Sequence, residues 1–397
     1  MFSLGIVGAG IGGLTLALAC REAGLRDITL YEQAGAAEGL GAGVQLSPNA
    51  TRVLLALGLR RTLEQVSFHP QAVHLRTWRT GYLLATRPLG PFSEARYGAP
   101  YYHVHRADLH AMLLDAVRAR GITLRTATHC RGADQDHDGP WVELDDSAVR
   151  HDVVVGCDGI RSVVRNAVVE GTAPRFTGHV AWRAMVPADA LAQAPVAPTA
   201  TVWLGPGRHF VHYYVRAGEL VNFVGVVEAG QWREVSWRSK GDPAELAADF
   251  AGWNPMVGSL IEAAEDVYKW ALFDHEPLPT WTRGGITLLG DACHPMLPYL
   301  AQGAAMAIED AWVLSRMLER WEDLPREGLG EYERYRRPRT ARVQQRSRQQ
   351  GEEFHLADPG AVMRRNFKLA VGSRLLPEVA MRQYDWLHGY DCIRGFE

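Results

Sequence analysis

LGIVGAGIGGLTLALACREAGLRDITLYE, residues 4–32, joins a short apolar run, a glycine turn, an apolar-periodic stretch from Ile11 to Ala23 and a second short run of alternating character. That order reads strand, turn, helix, strand. Gly8, Gly10 and Gly13 stand at the GxGxxG positions of GAGIGG. In such a motif the first glycine serves a tight turn, the second lets backbone approach a pyrophosphate, and the third lets helix pack close to strand. The N-terminus of the helix then turns its free N–H groups and positive dipole end towards phosphate. Glu32 follows Gly13 by 19 residues, at the end of the second strand. A carboxylate there accepts hydrogen bonds from a ribose 2′-OH and repels a 2′-phosphate. The motif points to a dinucleotide and leaves open whether it is FAD or NAD.

Working outward, Ser47 and Pro48 read as N-cap and first position of a helix that stops at Gly58. Another helix spans about Ala107 to Arg120 and ends at Gly121, before the strand ITLRT. HDVVVGCDGIR, residues 151–161, gives a buried strand closed by a Gly/Asp turn. From about Ala173 to Leu278 the texture changes to short aromatic-rich alternating runs such as HFVHYYV and LVNFVGVVE, the pattern of a largely antiparallel sheet. GGITLLGDA then resumes the buried-strand texture, followed by a long helix from about Gly303 to Leu318. The expected fold is α/β with α+β elements: a Rossmann-like nucleotide domain, discontinuous in sequence, a largely antiparallel substrate domain and a C-terminal helical cap. The expected divisions are 1–75, 101–172 and 281–350 for the nucleotide domain, 76–100 and 173–280 for the substrate domain, and 351–397 for the cap.

LLGDACHPMLPYLAQGAAMAIEDA, residues 288–311, separates the two cofactors. A buried strand ends at Gly290-Asp291, a loop with Pro295 and Pro298 follows, and a small-residue helix opens at Gly303 and Ala304. Asp291 can hold a ribityl hydroxyl, and the helix start can face a flavin pyrimidine edge and stabilise the anion formed on reduction. A nicotinamide dehydrogenase has no need for this arrangement.

Four motifs in this order, GAGIGG, HRADLH around Arg106, GCDGIRSVVR around Asp158 and GDACHP around Asp291, make the chain resemble the class A single-component flavoprotein monooxygenases. Within that class, the fold group of 4-hydroxybenzoate hydroxylase, the likeness is to the salicylate hydroxylase and 3-hydroxybenzoate 6-hydroxylase branch. It extends over the whole chain, through KWALFDHEPLPTW to YDWLHGYD near the end. The resemblance implies bound FAD and transient NADH or NADPH, because no second GxGxxG is present. It implies that Arg106 contacts the pyrophosphate, that Asp158 lies in a segment serving both FAD and NAD(P)H, and that Asp291 contacts the ribityl chain. Read without it, Arg106 and Asp158 could equally make local hydrogen bonds in a helix start and a turn.

The implied chemistry is addition of dioxygen to the reduced flavin and attack of an electron-rich ring on the distal oxygen of the hydroperoxide, which requires no metal. A phenol reacts best as phenolate, so a base beside the ring is expected. His209 and Tyr213 in GRHFVHYYVR differ by four and share one strand face with Val211 and Val215. The resemblance makes His209 the general base and Tyr213 its hydrogen-bond partner; His212, on the opposite face, is the non-catalytic control. Val44 and Gln45 of GAGVQLSPN are expected beside the flavin, with Leu297, Pro298 and Tyr299 closing the other side of the substrate pocket. Salicylate, decarboxylated to catechol, ranks first as substrate, then 3-hydroxybenzoate; a hydroxynicotinate is the alternative.

Composition agrees with this reading. The 397 residues are long enough to enclose a cofactor, and 47% apolar and 22% charged residues with a net charge of -3 give no basic surface for nucleic acid. Five scattered cysteines without a CxxC pair suggest neither disulfides nor zinc, and His294 beside Cys293 is read as packing, not as a metal pair. The first strand starts too near Met1 for a signal peptide and no apolar run reaches about 18 residues, so a cytoplasmic protein without membrane contact is expected. A homodimer is the default assembly. No WxWxIP segment supports a halogenase. A flavin oxidase, or a non-catalytic scaffold of the GDP-dissociation-inhibitor kind, remain as competing readings.

Overall fold

The computed structural model describes residues 2–35, 42–193, 195–230 and 239–396; Gly41, which opens the GAGVQLSPN stretch, lies outside them. A six-stranded sheet runs in the order Thr282–Arg283, Ile286–Leu288, Val153–Gly156, Leu4–Val7, Ile28–Tyr31, Thr123–Arg125. Every pairing in it is parallel except that of the two edge strands at 282–288. Leu4, Ile6 and Val153 to Val155 are fully buried, as expected of a parallel sheet covered on both faces. Helix Ile11–Glu22 packs against helix Gly303–Arg320, so the two glycine-started helices lie side by side. Gly13 is where that turn needs a missing side chain: a Cβ there would stand 2.0 Å from the carbonyl oxygen of Gly8. Gly8 itself has φ +101°.

A seven-stranded sheet follows the order Val267–Asp274, Arg175–Pro187, Leu220–Glu228, Arg208–Val215, Ala200–Gly205, Ala72–Thr77, Leu83–Pro88. All its pairings are antiparallel except that of Ala200–Gly205 with Ala72–Thr77. The expected boundary at residue 75/76 therefore falls inside a strand of this sheet; the alternating AVHLRT run passed unnoticed beside the helices that precede it. A small sheet of Gly43–Leu46, Tyr102–His105 and Ser67–Phe68 carries the GAGVQLSPN stretch.

Helix boundaries fall within two residues of expectation: Pro48–Ala56, Arg106–Ala119 and Gly303–Arg320. Ser47 precedes its helix but does not cap it with its side chain. Its hydroxyl instead donates to Asn49 Oδ1 at 2.6 Å and accepts from Gln302 Nε2 at 2.9 Å, because this helix start is buried against the start of helix Gly303–Arg320. Beyond Gly351 the chain is helical over Pro359–Leu375 and in shorter pieces to His388. Helix Pro325–Phe354 ends beside the seven-stranded sheet, where His355 follows it.

Candidate active site

A cavity of about 480 Å³ lies between the parallel and antiparallel sheets, within the size range of small-molecule sites. One end is lined by Gly10, Ile11, Arg106, Asp291, Gly303 and Ala304, the other by His209, Val211, Tyr213, Asn222 and Trp270. Val44, Gln45, Leu297 and Pro298 lie along it. Eleven of the residues singled out in the sequence thus line one cavity.

The nucleotide end is built from two helix starts without side-chain caps, at Ile11 and Gly303. Their N–H groups have no intrahelical partners, and a Cβ on Gly10 or Gly303 would meet no atom within 4 Å, so both starts face open space. Arg106, first residue of its helix, adds a guanidinium. Asp291 opens to the cavity yet sits deep in the protein; burial raises its carboxyl, while His294 and Arg106 oppose the rise. Arg183 lines the same space between the rings of Tyr268 and Trp270, and burial followed by repulsion from Arg106 pushes it down to about 10. It remains a cation at neutral pH, and with Arg106 it favours anionic ligands. Two open helix starts, an arginine and a carboxylate fit FAD: the turn at Gly10 and Arg106 would hold the pyrophosphate, Asp291 the ribityl chain, and Gly303 and Ala304 the flavin.

Four predicted residues lie behind the cavity lining. Gly8 and Gly13 shape the turn. Glu32 accepts the amides of Ala9 and Ala34, each at 2.9 Å, so it braces the glycine loop from the end of the second strand. Asp158 makes the local bonds allowed for it: Ser162 Oγ donates at 2.5 Å and the amides of Val163 and Val164 at 2.7 and 3.2 Å. Its neighbours Cys157 and Gly159, not Asp158, line the cavity.

At the opposite end, His209 and Tyr213 project from strand Arg208–Val215 on the predicted face, while His212 turns away and stacks on Trp203 at 6.1 Å. Tyr101 donates to Gln45 Oε1 at 2.8 Å, and the ring of His103 lies 4.6 Å from that of Tyr213. Gly43 must lack a side chain, since a Cβ would stand 2.6 Å from the Tyr213 ring; its amide donates to Asn222 Oδ1 at 2.9 Å. Tyr299 does not line the main cavity; it closes two neighbouring ones and places its ring 5.3 Å from that of His209. Burial, reinforced by the charges His355 and His179 would carry, holds His209 well below the ordinary imidazole range, so it is neutral at pH 7.

Sequence reasoning missed His355, whose Nε2 is 2.7 Å from Nδ1 of His209, and the charged set beneath the Gly290-Asp291 turn. There, Arg336 meets Asp310 and Glu309 at 2.7 Å each, Arg339 meets Glu309 at 2.7 Å, and His294 meets Asp310 at 2.5 Å. Asp310 also accepts the amide of Gly290 at 3.3 Å, next to Asp291. Burial would raise both carboxyls, but the facing cations prevail and hold both below their ordinary values.

The FAD binding domain family matches residues 2–347 of the chain. A 3-amino-4-hydroxybenzoate 2-monooxygenase of Streptomyces platensis is 42% identical over 390 residues, 98% of this chain and 96% of that one. The chain belongs to the class A flavin monooxygenases. Another such monooxygenase, the 3-hydroxybenzoate 6-hydroxylase 1 of Aquipseudomonas alcaligenes, is 36% identical over 398 residues, 99% and 98% of the two chains. A solved salicylate hydroxylase substrate complex superimposes with a TM-score of 0.83 at 26% identity, over 98% of this chain and 96% of the other. As a class A monooxygenase the protein is an FAD-dependent aromatic hydroxylase, with NAD(P)H the co-substrate typical of its kind.

Proposed function

We propose that this monooxygenase hydroxylates the ring of a hydroxybenzoate, with 3-amino-4-hydroxybenzoate as the first candidate substrate. The observation that carries the reading is that His209 and the two open helix starts at Gly10 and Gly303 line a single cavity. The choice of acid draws on the relative that is 42% identical and named for that compound. Salicylate, placed first from the sequence alone, stands second, supported by the likeness to the salicylate hydroxylase complex.

Bound FAD, with NAD(P)H as the reductant and dioxygen as the oxygen source, would supply the electrophilic oxygen. The chain's own residues then do four things. Arg106 and Arg183 draw the anionic ligands into the cavity. His209, neutral and buried, accepts the phenolic proton and so raises the ring's electron density. Tyr213 keeps its proton, because burial raises its hydroxyl, and orients the phenolic oxygen as a hydrogen-bond donor. Val211, Leu297 and Pro298 pack the ring's apolar faces and keep water from the reacting carbon.

The test is NAD(P)H oxidation by the FAD-loaded protein against 3-amino-4-hydroxybenzoate, salicylate, 3-hydroxybenzoate and 6-hydroxynicotinate, with products identified by mass. One compound should stimulate oxidation and gain one oxygen, or yield catechol in the case of salicylate. Oxidation that produces only peroxide with all four would refute the proposal.

A further inference from the structure

His209 and His355 come together from positions 146 residues apart and lie almost fully inside the protein, at 3% and 5% exposure. Nδ1 of His209 is 2.7 Å from Nε2 of His355. On the far side of His355, Nδ1 lies 3.5 Å from Oε1 of Glu228, whose side chain is 57% exposed. The three groups form a row from the ring-binding cavity to the surface. Backbone holds the row in register: the Gly207 amide donates to the His355 carbonyl at 3.0 Å, and the Glu228 amide to the Gly207 carbonyl at 3.1 Å.

The other groups facing His355 are His179, with its ring centroid 5.1 Å away, Tyr299 at 5.9 Å, and Arg208, whose charge acts on it. Of these neighbours Glu228 is the one anion, so it is the natural acceptor for a proton on Nδ1. Burial, then His179 and Arg208, push His355 down to about 3, so both imidazoles are neutral in the resting protein. A neutral imidazole donates at one nitrogen and accepts at the other. With the proton of His355 on Nδ1, which lies 3.5 Å from Glu228 without a hydrogen bond between them in the resting protein, Nε2 of His355 accepts from Nδ1–H of His209, and Nε2 of His209 is left with a lone pair. A buried base that kept a captured proton would become a costly buried cation; a base that hands on its other proton does not.

We propose that His355 and Glu228 are the proton exit of the active site, with His355 a positioning and relay residue for His209. The inference rests on the reading of His209 as base. The phenolic O–H breaks as Nε2–H of His209 forms; Nδ1–H of His209 breaks as Nε2–H of His355 forms; Nδ1–H of His355 breaks as the Glu228 carboxyl is protonated and releases to water. After hydroxylation the same steps in reverse return one proton to the product phenolate and restore both tautomers. No oxidant or further reactant is consumed.

The outer cavity, lined by His179, Glu228, Tyr299 and His355, supplies the test, because it gives a small base a route to the space that His355→Ala would vacate. FAD-loaded protein is mixed rapidly with 3-amino-4-hydroxybenzoate and the phenolate absorbance is followed. His355→Ala should slow deprotonation by about tenfold or more, and added imidazole should restore the rate, an effect that repair of packing alone would not give. Glu228→Gln, at an exposed position, should slow the same step without changing FAD content. Wild-type rates in either variant overturn the relay, as does a slow His355→Ala protein that imidazole leaves slow. If His355→Ala loses its FAD, Glu228→Gln decides alone. A wild-type protein that never ionises the bound phenol instead overturns the base assignment, which separates the two failures.

Discussion

Replacing Arg336 by leucine should destabilise the protein and loosen its hold on FAD together. Arg336, Glu309 and Asp310 have side chains at 0% exposure. Removing one member of a buried ion pair typically costs about 3–5 kcal/mol, because the remaining charge has lost both water and partner. The structure argues for the lower part of that range. Glu309 keeps Arg339 and the Asn49 amide, both at 2.7 Å. Asp310 keeps only neutral-capable His294 at 2.5 Å and the Gly290 amide at 3.3 Å, so most of the loss falls on it. A cost of about 3–4 kcal/mol, spread over an unfolding entropy of about 0.8 kcal/mol/K for a 397-residue chain, lowers Tm by about 4–5 °C. The assay is thermal release of FAD fluorescence. Arg60→Leu, which removes an exposed pair with Glu64 at 3.3 Å, is the control and should move Tm by less than about 1 °C. An Arg336→Leu protein that melts with the control and titrates FAD with wild-type affinity would show that the buried charges do not support the Gly290-Asp291 turn.

Other outcomes follow from single contacts. Gly13→Ala should abolish FAD binding, since its Cβ would stand 2.0 Å from backbone oxygen that cannot give way, outweighing a helix-propensity gain of about 1 kcal/mol; normal flavin content in the purified variant would refute the tight-turn argument. His209→Ala should retain FAD but divert NAD(P)H oxidation to peroxide, whereas His212→Ala, which removes a ring stacked on Trp203, should lower stability and leave coupling intact; equal coupling in both would remove His209 from the chemistry. His103, His209, His212 and His355 are buried, and burial lowers all four. Because the unfolded chain takes up protons below about pH 6.5 that the folded state refuses, stability is full above that pH and falls as pH drops, by up to about 1.4 kcal/mol per pH unit for each histidine. Denaturant midpoints at pH 7.5 and 5.5 should therefore differ, with the lower midpoint at pH 5.5; equal midpoints would mean these histidines are protonated in the fold.

What could be read from the sequence was what acts over short spans. GAGIGG specifies its turn through atoms a few residues apart, and His209 with Tyr213 through the two-residue period of one strand. Glu32 was legible as an acidic residue at a strand end, but the amides of Ala9 and Ala34 that orient it emerge only once the strand and glycine loop are adjacent. His355 left no local trace: it follows a helix in a region read as a cap, and its meaning comes from a ring 146 positions earlier.

Glu309 and Asp310 are the instructive case, because they stood in plain view within GAAMAIEDA. Two adjacent carboxylates inside a helix of otherwise small and apolar residues cannot be buried without cations, since an unpaired buried charge costs several kcal/mol. The burial pattern of that helix thus already demanded arginines from elsewhere, and YERYRRPRT offered them at Arg336 and Arg339, spaced by three on one helix face. Those two charges tie the long helix Pro325–Phe354 to the Gly290-Asp291 turn through Glu309, Asp310, His294 and the amide of Gly290. The end of that same helix delivers His355 to His209. One helix therefore braces the Gly290-Asp291 end of the cavity near its middle and meets the His209 end at its C-terminus, so a substitution that shifts it should disturb FAD affinity and the proposed proton transfer together.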